Sequence, residues 1–212
     1  MRPPAIPSAH RPSTPGGQPV WKTAAVTIAL FVAALWVIQG VNSATGDELT
    51  DDGIEPRAVS GLDGILWAPL LHADFGHLQS NTVPLLVLGF AVLVLAGLLR
   101  FVLVSAIIWL VSGVGVWLFG EPDTVVVGAS GLVFGYLAYL IVSGIFTRSL
   151  LQLAVGVVVL VLYGSLLWGV FPGAPGVSWQ GHLFGAVGGV VAASAMARRD
   201  RAAGQLGPGV RR

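Results

Sequence analysis

The chain has 212 residues, of which 55% are hydrophobic and only 10% charged, with a formal net charge of +1. A soluble domain carries about a quarter charged residues, so this balance excludes a water-soluble globular fold and offers no basic surface for nucleic acid. The absence of cysteine excludes disulfides, thiol catalysis and cysteine-ligated zinc, and the pattern calls for no metal and no cofactor.

Residues 1–20 contain Pro3, Pro4, Pro7, Pro12, Pro15 and Pro19 and few large apolar side chains, which predicts a disordered tail. From Thr23 to Val41 no charge occurs for 19 residues, enough to cross a hydrocarbon core of about 30 Å. A secretory signal peptide is the rival reading, disfavoured by the long leader and the length of the apolar run. Residues 42–76 are acidic, with Asp47, Glu48, Asp51, Asp52, Glu55, Asp63 and Asp74 against Arg57 alone. They read as a long loop outside the membrane whose apolar middle, Leu62 to Leu71 with Trp67, lies in the interface. After Asn81 an apolar stretch continues to Gly120 and is broken by one charge, Arg100, where a tight turn between two spans is expected. The fourth span lies within Thr124–Thr147, the fifth within Ser149–Phe171 and the sixth within Ser178–Ala197. The reading is an all-α, polytopic membrane protein of six transmembrane helices: one membrane domain over 21–199, preceded by the 1–20 tail and followed by a basic tail at 200–212.

An even number of spans puts both termini on one side. Ten of the eleven basic residues then fall on that side and nine of the ten acidic residues on the other. The positive-inside rule makes the basic side cytoplasmic, which suggests a multi-pass protein of the cell membrane with both termini in the cytoplasm. Trp67, Trp117, Trp168 and Trp179 gather near the outer interface, where indoles are favoured.

Polar residues within or beside spans are expensive and therefore candidates for function. His77 with Asn81, the Gly128-Ala129-Ser130-Gly131 stretch, and Gln180-Gly181-His182 all fall at outer ends of spans, at one depth. Small residues at Gly131 and Gly135 in the fourth span, and at Gly181, Gly185, Gly189, Ala193 and Ala197 in the sixth, form stripes that let two backbones approach. Ser130 and His182 each sit one residue from a stripe, so close packing would bring hydroxyl and imidazole together. A serine hydroxyl needs a base to become a nucleophile, and neutral imidazole serves near neutral pH. No carboxylate lies inside a span to complete a triad, so the chemistry would be a dyad. Phe134, one turn after Ser130, is the ring expected to stack on His182. His77 and Asn81 share one face at the start of the second span, and both can donate to an oxyanion. Taken singly, each motif has a bland alternative: a packing face, an interior histidine, or a polar helix cap.

With these motifs in this order the chain resembles the rhomboid family of intramembrane serine proteases over its second to sixth spans. The residues that carry the resemblance are His77-x-x-x-Asn81, Gly128-Ala129-Ser130-Gly131 and Gly181-His182-Leu183-Phe184-Gly185. It implies Ser130 as nucleophile, His182 as base, and His77, Asn81 and the Ser130 backbone N–H as oxyanion donors. Gly128 and Phe134 support them, and His72 corresponds to an upstream histidine with a structural role. The 42–76 loop lacks the Trp-Arg pair many relatives carry, and position 134 is Phe where Tyr is frequent. The implied substrate is a transmembrane segment of another protein, cut near the outer face, with the fifth span as a side gate and Pro172–Gly176 as a cap. The competing readings are a catalytically silent membrane scaffold or chaperone of the same family, and a small transporter with broken helices.

Overall fold

A computed structural model of the chain describes residues 19–173 and 176–204. The expected tails at 1–20 and 200–212 lie outside these residues except for 19–20 and 200–204. Among the described residues seven α-helices form: α1 (Val20–Ala44), the one-turn α2 (Gly64–Trp67), α3 (Phe75–Ala96), α4 (Leu98–Phe119), α5 (Ser130–Thr147), α6 (Leu150–Tyr163) and α7 (Trp179–Ala202), with 3-10 turns between several of them. The chain is a polytopic helical membrane protein. α1, α3, α4, α5 and the stretch Leu150–Val170 are each long and apolar enough to cross a bilayer. The sixth expected span, α7, falls short of that apolarity because it is built from glycine and alanine and ends in Arg198, Arg199, Asp200 and Arg201. It packs against both α4 and α5.

The turn expected at Arg100 is made three residues earlier. Gly97 takes φ +79°, a conformation costly for any residue with a Cβ, and Arg100 lies in the first turn of α4. Two equal helices of 22 residues meet at that glycine. α7 extends past Ala197 to Ala202, so Asp200 is buried in the bundle rather than part of a free tail. Its carboxylate forms a two-pronged ion pair with Arg100, Nη1 to Oδ2 at 2.8 Å and Nη2 to Oδ1. Arg201 Nη2 donates to the carbonyl of Phe146 at the end of α5, 2.8 Å. The foot of α7 is thus tied to α4 and α5.

The long loop is structured at the opposite end. Ile54 and Val126 exchange both backbone hydrogen bonds at 2.9 Å, an isolated antiparallel bridge. Arg57 donates from its N–H to the carbonyl of Trp117 and from Nη2 to that of Gly120, while Trp117 Nε1 donates to Ala58. The loop's one basic side chain therefore holds the Gly120 carbonyl at the C-terminal end of α4, where a cation is favoured. Ile65 and Ala68 of the apolar middle are buried, with Trp109 Nε1 donating to the Ile65 carbonyl at 2.8 Å. Leu62, Leu66 and Trp67 face outward.

Glycines set the separation of α7 from its neighbours. A Cβ at Gly185 would lie 2.3 Å from the carbonyl oxygen of Gly131, and one at Gly189 would lie 2.1 Å from that of Gly135. The two stripes of the sequence face each other, backbone to backbone, along α5 and α7.

Candidate active site

The first turns of α3, α5 and α7 lie at the loop end and line one cavity of about 950 Å³, to which the segment Gly164–Val170 also contributes. His77, Asn81, Gly128, Ser130, Phe134 and His182 all line it. They come from α3, from α5 with the turn before it, and from α7, segments more than 40 residues apart in sequence, and close helix packing is what assembles them.

Ser130 is the first residue of α5, where backbone N–H groups lack helical partners and the helix dipole is positive. The turn before it is fixed from two sides. Gly128 takes φ +122°, and a Cβ there would lie 2.7 Å from His77 Nε2, so neither backbone nor space admits a side chain. Its N–H donates to the carbonyl of Ala68 at 2.8 Å. The next N–H, of Ala129, donates to Nε2 of His72 at 3.4 Å. His72 is wholly buried, and burial together with the nearby His77 pushes its pKa down to about 4. A neutral ring is what that contact needs, because a protonated Nε2 could not accept.

His182 lies in the first turn of α7. Ser178 caps that turn by accepting from the Gly181 N–H at 3.2 Å, and Ser112 of α4 donates to the Gly181 carbonyl at 2.9 Å. Phe134 stacks on the imidazole with ring centroids 4.0 Å apart and planes 8° from parallel. The Nδ1 of His182 is 2.9 Å from the carbonyl oxygen of Gly169. A carbonyl oxygen can only accept, so Nδ1 carries the proton and the Nε2 lone pair is free. Among the described residues no hydrogen bond joins Ser130 Oγ to the imidazole, although both face the cavity.

On α3, His77 and Asn81 are not the helix cap. Asp74 is: its carboxylate accepts from the His77 N–H at 2.7 Å. Asn81 is buried and gives one amide N–H to the His77 carbonyl at 3.2 Å, which leaves the other N–H for the cavity. The His77 ring lies edge-on to His72, 5.2 Å between centroids.

Gly169 and Ser112 were missed from sequence. Gly169 acts through its backbone, which carries no side-chain signature, and Ser112 sits inside an apolar run as one of many small residues.

A family model described as a Rhomboid domain matches residues 61–199. An uncharacterized protein of Mycobacterium tuberculosis (strain ATCC 25618 / H37Rv) is 47% identical over 208 residues, covering 92% of this chain and 86% of that protein. One of Mycobacterium bovis shows the same identity and coverage. An uncharacterized protein of Mycobacterium leprae is 44% identical over 198 residues, covering 88% of this chain and 78% of its own.

Proposed function

The chain belongs to the rhomboid family, and we propose that it is an intramembrane serine endopeptidase that cuts transmembrane segments of other proteins by a Ser130–His182 dyad. The observation that carries the reading is the state of His182: stacked on Phe134, donating from Nδ1 to Gly169, and presenting a free Nε2 to the cavity that Ser130 also lines.

In this mechanism Ser130 Oγ attacks the scissile carbonyl while Nε2 of His182 takes the hydroxyl proton. The carbonyl oxygen becomes an oxyanion, met by the Ser130 backbone N–H and by donors from His77 and Asn81. The imidazolium returns the proton to the leaving amine as the C–N bond breaks, leaving an ester on Ser130. A water molecule, deprotonated by the same Nε2, then hydrolyses the ester. Phe134 and the Gly169 carbonyl do the orienting that a carboxylate does in a triad. Partners in this reading are the lipid bilayer and transmembrane protein substrates. The basic end of the bundle faces the cytoplasm of a cell membrane, and the site opens near the outer face. Peptide bonds within a helix are hidden, so the cut requires a substrate segment that unwinds.

Labelling with a fluorophosphonate probe, wild type beside Ser130→Ala, tests the proposal. Covalent labelling lost in the variant supports it. A wild-type protein that resists the probe and leaves a single-span substrate uncut would make the chain a silent family member.

A further inference from the structure

The two halves of the dyad sit on the most tightly joined helices, α5 and α7, which meet glycine to glycine. The group that orients the base sits elsewhere. Gly169 belongs to the 3-10 segment Gly164–Val170 that follows α6. α6 has 14 residues, about 21 Å of helix, too short to cross the membrane unless the 3-10 segment finishes the span. Its principal long-helix neighbour is α5, and only 11% of the most apolar part of Leu150–Val170 is buried, against 67% for α5. An element with so few buried contacts opens at low free-energy cost.

We infer that Gly169 is a positioning residue, and that His182 is competent as a base only while the Gly164–Val170 segment is seated against α7. The inference rests on the protease reading above. Among the described residues, Nδ1 of His182 has one hydrogen-bond partner, the Gly169 carbonyl. If that carbonyl moves away, nothing holds the proton on Nδ1. A neutral ring that carries it on Nε2 cannot accept from Ser130. The fit leaves no slack: a Cβ on Gly169 would lie 2.8 Å from Cζ of Phe134 and 3.1 Å from Nδ1 of His182. The segment is seated by Leu166, Leu167 and Val170, which pack on the core, while Trp168 and Phe171 face outward. Displacement of this segment to admit a substrate would therefore switch the base off, and its return would switch it on. Entry and proton abstraction become successive events, which protects an open site from idle hydrolysis.

Two variants test this. Val170→Ala loosens the seat at a residue that packs on the core and does not line the cavity. Gly169→Ala wedges the Phe134–His182 stack. For each, 15N NMR of histidine-labelled protein in detergent, assigned with His182→Ala, reports which ring nitrogen holds the proton, and the rate of fluorophosphonate labelling reports Ser130 activation. Thermal unfolding serves as the folding control. The expected result is loss of the single Nδ1–H form in both variants, with labelling slower by about tenfold or more. A gate without this coupling leaves labelling unchanged in Val170→Ala and keeps Nδ1–H, and that result overturns the inference. Failure of the wild type to label would overturn the protease reading instead, while the NMR comparison would still decide what Gly169 does.

Discussion

Phe134 and His182 stack with their planes within 8° of each other, on two helices that meet through glycines. The stack holds one face of the imidazole, while the Gly169 carbonyl holds its Nδ1 edge. Phe134→Ala removes one wall of that holder, and kcat should fall by about ten- to a hundredfold with KM changed little, because the base loses orientation rather than substrate contacts. Phe134→Tyr keeps the ring and should stay within a few-fold of wild type. Steady-state cleavage of a model single-span substrate in liposomes separates the two.

Gly185→Ala places a methyl 2.3 Å from a main-chain oxygen, which cannot rotate aside. We expect a loss of about 1–3 kcal/mol in stability, read as a lower unfolding midpoint in detergent. Gly97→Ala meets no neighbour but must hold φ +79° with ψ 164°, a region essentially confined to glycine, so its cost, about 1–3 kcal/mol, is conformational. An unchanged unfolding midpoint for Gly185→Ala would contradict the packing account.

The long helices, their order and the residues that line the cavity were legible because each has a pattern: uncharged runs, glycines four apart, polar residues at span ends. What escaped lacked one. Arg100 looked like the turn because a charge interrupts an apolar run, yet Gly97 supplies the positive φ, and only the equal lengths of the flanking helices hint at it. Asp200 looked like tail because it follows two arginines, while tertiary pairing with Arg100 draws it into the bundle. Arg57, the loop's lone cation, finds helix-end carbonyls at Gly120 that no local pattern announces.

His72 should make stability depend on pH. Its pKa in the fold, about 4, lies below the usual 6.5, so folding favours the neutral ring. Its contribution is complete above about pH 6.5 and is lost as pH falls toward 4, at up to about 1.4 kcal/mol per pH unit. His72→Gln retains an acceptor for the Ala129 N–H and cannot titrate. Unfolding midpoints measured from pH 7.5 to 4.5 should fall more steeply for wild type than for the variant, and parallel curves would refute the assignment.

For the oxyanion, Asn81→Ala should remain folded, react with a fluorophosphonate and cleave substrate at least about tenfold more slowly, through kcat rather than KM. His77→Ala should be equal or worse, since its ring also packs against His72 and Gly128. Near-normal kcat in both would leave the backbone N–H of Ser130 as the sole donor.

Orientation is checked by fusions. A reporter after Arg212 should read cytoplasm and one inserted between Asp47 and Glu55 should read exterior. Identical readings would mean an odd number of crossings.

The Arg100–Asp200 pair also bears on biosynthesis. Its partners are 100 residues apart, so at a translation rate of about 5–20 residues per second the acidic partner emerges some 5–20 s after the basic one. By then α4 has been handed to the membrane, and the pair closes only when the last helix arrives. A nascent chain halted before Asp200 should therefore hold its earlier helices in the bilayer without the final lock. Protease protection of such halted chains, compared with the released protein, would show the bundle maturing in a last step at its carboxyl end.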